Sequence, residues 1–348
     1  MTRPIRRSVI ALALLVGWLA RPVIPDAQDL AFPLKANSVR FAVIGDNGTG
    51  EKAQYEVGQQ MAAAHQKFPF TFVIMNGDNL YGGERPQDFV NKFEAPYKPL
   101  LDAKVDFYAT LGNHDDPNQR FYKPFNMGGQ RYYTFKKGNV RFFSLDSNYM
   151  DPVQIAWLEK ELKASGSDWK IPFFHHPLYS SGMHGSQVDL RTVVEPLFIK
   201  SGVDVVFNGH EHFYQRIKPQ NGITYFVSGA GGQLRRGDIK RADFTAVGYD
   251  QDQSFMLVEI ADKELTFQAV SRTGKVIDQG VIIQRDSGQP PAVVGGPPPG
   301  APATKGSSPS PGTQVTPATP KSTTAAPVGS TKAPTVRAPR RKLPTSKR

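Results

Sequence analysis

Six short segments, in fixed order between Gly45 and His212, hold most of the chain's capacity for metal chemistry. They read Gly45-Asp46-Asn47-Gly48, Gly77-Asp78-Asn79-Leu80-Tyr81, Gly112-Asn113-His114-Asp115, His175-His176-Pro177, His184-Gly185 and Gly209-His210-Glu211-His212. Six of the seven histidines fall inside them. Carboxylates mixed with imidazoles suit first-row metal ions, and such ions in pairs suit phosphate chemistry. The seventh histidine, His65, lies in a polar stretch of helical periodicity from Lys52 to Lys67 and reads as solvated surface.

The segments need elements that bring them together. Asp46, Asp78 and Asn113 each follow an apolar run, Phe41–Ile44, Phe70–Met75 and Val105–Leu111. His175 follows Ile171–Phe174, and His210 follows Val203–Phe207. Short runs rich in β-branched and aromatic residues read as buried strands. Five candidate ligands therefore sit just past the carboxyl ends of five strands, the edge at which an open α/β sheet binds ligands. A glycine precedes four of the ligands, Asp46, Asp78, Asn113 and His210, and lets the backbone turn sharply there.

The ordered set resembles the calcineurin-like metallophosphoesterase superfamily and, within it, the purple acid phosphatases of the small, mammalian or tartrate-resistant type. Tyr81, two residues after Asp78-Asn79, carries the second half of that statement, and His184-Gly185, nine residues after His175, agrees with it. The resemblance spans roughly residues 40 to 285. It implies a first metal held by Asp46, Tyr81 and His212, a second held by Asn113, His175 and His210, and Asp78 bridging the two. His114 and His184 are implied as the pair that binds phosphate and assists the leaving group, with Asp115 orienting His114. Ligand charge supports the same division. Carboxylates and a phenolate favour Fe(III), whereas an amide with two imidazoles suits a divalent ion, Fe, Zn or Mn. The implied reaction is hydrolysis of phosphate monoesters by water that the metal pair activates.

Some positions depart from the pattern. Pro172 stands where a valine is usual, three residues before the histidine ligand. The tandem His175-His176 offers two candidates, of which His-x-Pro spacing favours His175. Asn47 replaces an apolar residue or tryptophan and is expected beside the first metal, where it would influence substrate fit. Glu211 is expected to face outward or support its loop. Arg235-Arg236 reads as either a soluble loop or a substrate contact, and Tyr149 and Phe142-Phe143 as rim or core. If Tyr81 were a packing aromatic, the alternative is a phosphodiesterase with two divalent ions. A further alternative is a non-catalytic envelope-binding protein that works through its basic tail.

Charge is unevenly placed. The net charge of +11 resides in the termini, and residues 28 to 285 carry 29 basic and 29 acidic side chains. Nucleic-acid binding by that catalytic domain has no support. Residues 1–27 read as a signal peptide or N-terminal anchor, with Arg3, Arg6 and Arg7 ahead of the apolar stretch Val9 to Ala20 and a loose twin-arginine likeness. Residues 286–348 hold 14 of the 29 prolines, no aromatic residue and nine basic residues, and read as a disordered Pro/Ala/Thr/Ser-rich tail. Anionic envelope polymers or lipid head groups are its expected partners. With no cysteine in the chain, these features suggest an exported bacterial protein, periplasmic, secreted or surface-associated.

Strand–helix units from Val39 to Leu111, helices near Pro152–Ser165 and Gln187–Ser201, and a strand-rich end from Val203 to Ile283 predict an α/β fold. The resemblance implies two packed mixed β-sheets flanked by helices, a four-layer α/β/β/α arrangement.

Overall fold

The computed structural model describes residues 32–285 apart from residue 241, together with the strand pairing of Val293 and Val294. The expectations for residues 1–27 and 286–348 thus lie outside the described residues. Among the latter, no helix is long and apolar enough to cross a membrane.

The first sheet begins with β1 (Val39–Ile44), β2 (Phe72–Met75) and β3 (Asp106–Ala109), which run parallel. Between β1 and β2 lies α1 (Lys52–Lys67); between β2 and β3 lie the short α2 (Pro86–Phe89) and α3 (Lys98–Asp102). The second sheet takes the middle of the chain: β4 (Tyr133–Lys137), β5 (Val140–Ser144), β6 (Trp169–Phe174), β7 (Val205–Asn208), β8 (Tyr214–Ile217), β9 (Thr224–Ser228) and β10 (Thr245–Tyr249). Its helices are α4 (Pro152–Ala164) and α5 (Val188–Ser201). The chain then returns to the first sheet through β11 (Ser254–Ala261), β12 (Glu264–Ser271) and β13 (Val276–Ile283), with β14 (Val293–Val294) at its edge. The orders are β14-β13-β12-β11-β1-β2-β3 and β10-β8-β9-β7-β6-β5-β4, both mixed.

Alternation along the strands produces the layers. Phe41 and Val43 of β1 face the second sheet and pack with Phe142, Phe207 and Phe226, whereas Ala42 and Ile44 face α1 and pack with Val57 and Met61. A third apolar cluster joins Phe174 and Val206 to Leu158 of α4 and Phe198 of α5. Three cores between four layers confirm the expected α/β/β/α arrangement.

Polar bonds also cross between the sheets. Arg216 of β8 donates through Nε to Asp278 of β13 at 2.7 Å, and the Tyr214 hydroxyl donates to the same carboxylate at 2.6 Å, all three residues being buried. Pro172 is accommodated inside β6 because the Phe173 carbonyl turns toward β5, accepting from Leu145 N, so the missing N–H of Pro172 faces β7. Pairing with β7 starts only at Phe173.

The strands β4, β5, β8 and β10 lie outside the elements the sequence made plain. In β4 and β10 most residues are only partly buried, so apolar content is diluted by Lys136, Lys137 and Gly248.

Candidate metal centre

The five expected strand ends converge at one edge of the two sheets. Asp46, Asp78 and His210 all adopt left-handed backbone, with φ of 53°, 50° and 71°. Such values are uncommon outside glycine and cluster at functional sites, where the surrounding structure imposes them. The neighbouring glycines leave no room for a side chain. A Cβ on Gly112 would stand 2.1 Å from Asp78 Oδ1, and one on Gly209 would stand 2.6 Å from Asp46 Oδ2.

Donor atoms form two adjacent groups, each within 4.8 Å: Asp46, Asp78 and His212, and His175, His176 and His210. The Tyr81 hydroxyl joins the first, donating to Asp46 Oδ1 at 3.1 Å and standing 3.2 Å from His212 Nε2. Asn113 joins the second, its Oδ1 lying 2.9 Å from His175 Nε2. Asp78 lies between the groups, its Oδ1 3.4 Å from His175 Nε2.

His175 and His176 are now distinguishable. The Asn76 carbonyl accepts from His175 Nδ1 at 2.9 Å and thereby turns Nε2 toward Asn113, Asp78 and His210. His176 has its Nδ1 on the Ser147 hydroxyl at 2.8 Å and its ring beside that of His210.

Burial dominates the electrostatics of the cluster. Burial, and then Asp78, push the Asp46 carboxyl well above the usual carboxylate range; burial also raises Asp78. Burial, followed by the two carboxylates, raises the Tyr81 phenol. On the other side burial lowers His175 and takes His210 down to about 2 and His212 to about 4. Acids pushed toward the protonated form and imidazoles toward the neutral one, facing one another with donor atoms converging, fit a pair of cations. The carboxylate and phenol group suits the harder ion; the amide and imidazole group suits a divalent one.

Two sequence expectations need correction, those for Asp115 and Asn47, and of the two for Glu211 the structure shows the second, support of loops. Asp115 does not orient His114. Its Oδ1 accepts from Leu80 N and Gln119 Nε2, and its Oδ2 from Gly112 N and Asn79 Nδ2, at 2.8 to 3.1 Å. Adjacent residues in this turn point apart, so Asp115 ties the Asp78 and Asn113 loops together beneath the site. Burial, and then Asp78, raise its carboxyl to about 7. The His114 ring leans instead on Tyr81, centroids 5.0 Å apart. Glu211 does not face outward; it is fully buried. It accepts from the Ser180 hydroxyl at 2.9 Å and Gly185 N at 3.1 Å, and its Oε2 lies 3.2 Å from His184 Nδ1. A residue between two ligands points away from the metals, and here that direction leads inward. Asn47, finally, is buried, toward Tyr97, and does not face a substrate.

His184 lies beside Glu211, with its ring 4.4 Å from that of His210. Arg235, read from sequence as loop or substrate contact, stands 3.5 Å from His184 Nδ1 and 3.8 Å from Glu211. Arg236 is exposed, and His65 lies in α1, edge-on to Phe70.

With this geometry established, similarity to known proteins adds an independent line. The family described as calcineurin-like phosphoesterase matches residues 39–214, half of the chain. The chain belongs to the calcineurin-like phosphoesterase family. Among curated relatives of this phosphoesterase is purple acid phosphatase 17 of Arabidopsis thaliana, 28% identical over 70% of this chain and 85% of its own length. Another is tartrate-resistant acid phosphatase type 5 of Homo sapiens, 27% identical over 73% and 92%. Of solved structures, the purple acid phosphatase PPD1 from yellow lupin superposes with a TM-score of 0.60 at 19% identity, covering 72% of this chain and 55% of its own. GAP50, the anchor in the inner membrane complex of Plasmodium, superposes at 0.63 and 19%, covering 72% and 90%. At that identity the two structures attest the fold alone.

Proposed function

We propose that this chain is an exported acid phosphatase that hydrolyses phosphate monoesters at a binuclear centre of Fe(III) and a divalent ion, Fe, Zn or Mn. The observation that carries the reading is the Tyr81 hydroxyl between Asp46 and His212, which adds a phenol to the carboxylate half of the centre. Asp46, Tyr81 and His212 would hold the harder ion, Asn113, His175 and His210 the softer, with Asp78 between them. The bound pair would supply the positive charge that draws a phosphate in and the acidity that makes water nucleophilic at low pH. The chain's own residues do the rest. Asn76 and the left-handed backbone fix the donors in advance. Glu211 Oε2 lies 3.2 Å from His184 Nδ1, beside a ring whose Nε2 would give a proton to the departing oxygen. His114, beside Tyr81, stands where phosphate oxygens would need a donor.

The test is elemental analysis of the purified protein, with assays of an aryl monoester and an aryl diester across pH. Iron with a second metal, a violet colour, and monoester turnover best below neutrality are expected. Tyr81→Phe should bleach the colour without unfolding the protein. A colourless protein with two divalent ions and a preference for the diester would instead establish the phosphodiesterase alternative, and inactivity toward both the binding-protein alternative. The basic tail is proposed to tether the enzyme to anionic envelope polymers or lipid head groups. Salt-sensitive cell association should then vanish on truncation after Arg285.

A further inference from the structure

Lys92 is a charged group that the proposed hydrolysis does not use, yet its side chain is only 14% exposed. It lies in a widened turn, Val90–Glu94, that follows α2 directly. The turn is of the π type, with Ala95 N donating to the Val90 carbonyl, five residues back, at 2.8 Å. Pro96 supplies a reason in the sequence. It has no N–H to offer the Lys92 carbonyl four residues back, and that carbonyl accepts instead from Gln54 Nε2 of α1 at 2.5 Å. The Asn91 carbonyl likewise accepts from the Tyr55 hydroxyl of α1 at 2.9 Å. Turns of this kind are rare and occur frequently at functional sites.

The turn delivers Lys92 to the loop that carries Tyr81. Its Nζ donates to the Tyr81 carbonyl at 2.6 Å and to the Gly83 carbonyl at 2.9 Å. Gly82, between them, has a φ of 76°, which glycine adopts without strain, and carbonyls two residues apart thereby reach one ammonium. Asp88 Oδ1 lies 3.7 Å from the same Nζ. On its other side Tyr81 donates its own N–H to the Gly48 carbonyl, in the Asp46 segment, at 2.9 Å. Both polar groups of the Tyr81 backbone are therefore fixed, one by the segment of a neighbouring carboxylate and the other by a cation. Hydrogen bonds from a charged donor are the stronger kind, and an ammonium can make several at once. The phenol hydroxyl of this same residue stands between Asp46 and His212.

From this geometry, and resting on the reading of Tyr81 as a ligand of the trivalent ion, we propose that Lys92 is a positioning residue for Tyr81. By drawing the carbonyls on either side of Gly82 onto one ammonium, it presents the phenol to the oxygen half and so secures Fe(III) there. The π turn is the device that brings the lysine to that loop.

The test uses the full-length protein loaded with iron and zinc. Lys92→Met keeps the stem and removes the donor; Lys92→Gln, neutral and shorter, is run beside it, with urea unfolding to follow the fold of each. Both variants should retain zinc, show a weakened or shifted visible band, and lose iron to a chelator about tenfold faster, the scale on which outer partners of metal ligands act. In a Tyr81→Phe background the same substitutions should change iron loss by no more than about twofold, because a residue that acts through Tyr81 has nothing left to act on. Wild-type band and wild-type iron loss in folded Lys92→Met and Lys92→Gln overturn the proposal and leave the phosphatase reading intact. So does a further loss of about tenfold on top of Tyr81→Phe, which would show that Lys92 serves the fold and not the phenol. A wild-type protein that holds iron without colour removes Tyr81 from the ligands, and the role of Lys92 with it.

Discussion

The oxygen half and the nitrogen half of the centre come from different sheets. Asp46, Asp78, Tyr81 and Asn113 follow β1, β2 and β3 of the first sheet; His175, His210 and His212 follow β6 and β7 of the second. One physical cause, burial, acts on both halves and drives both toward neutrality, acids upward and imidazoles downward. The halves respond differently to a cation. The imidazoles, pushed toward neutrality, offer lone pairs, whereas the acids and the phenol, pushed toward protonation, would release protons to a cation. Asp78 is where the two halves meet.

Removing that meeting point should have the largest effect. Asp78→Ala should lose both metals and reduce activity by more than the roughly 10- to 100-fold that loss of an outer partner of a metal ligand costs, with metal content read by mass spectrometry. Retention of one full equivalent would show that the halves load independently. Asp115→Ala should lower stability by about 3 kcal/mol, because buried N–H donors in the Asp78 and Asn113 loops lose their acceptor. Denaturant unfolding measures this; unchanged stability with a selective fall in kcat would return Asp115 to a role at His114. Glu211→Gln should keep both metals and slow turnover about tenfold, since His184 would lose its carboxylate but not its packing.

The smallest effect separates the halves by pH. The raised acids carry protons in the metal-free protein between the ordinary carboxylate pKa near 4 and their own, and cations must displace them. Metal affinity should therefore rise with pH, and calorimetry in buffers of different ionisation heat should detect more protons released at about pH 5 than at about pH 8. The imidazoles bear instead on the stability of the metal-free fold. In the folded chain they refuse protons that the unfolded chain takes up below about 6.5, so their contribution to stability is lost as pH falls below that value. Release of no more than the single phenol proton at about pH 5 would mean that the carboxylates are ionised before any cation arrives.

The same contrast explains what sequence made legible. The ligands themselves were readable because each ends a buried run, so strand register and metal position are one signal in β1, β2, β3, β6 and β7. The supporting residues were not. Asp115 and Glu211 are adjacent in sequence to functional histidines, yet their partners Leu80, Ser180 and Gly185 come from other loops. Which way a side chain leaves a turn depends on backbone φ, and single-sequence periodicity does not carry that. Asn47 failed for the same reason. The Arg131–Asp146 ion pair is brought together by the β4 and β5 hairpin, and neither β4 nor β5 was marked in the sequence as a strand.

The left-handed backbone at Asp46, Asp78 and His210 also bears on how such a centre would decay over generations. Substitution at these places is filtered twice, once by the cation and once by a conformation that only glycine, asparagine, aspartate and histidine adopt readily. Lineages released from the first filter still face the second. Descendants that have abandoned catalysis should therefore drift to asparagine or glycine there, not to alanine or valine, and will look more intact than they are.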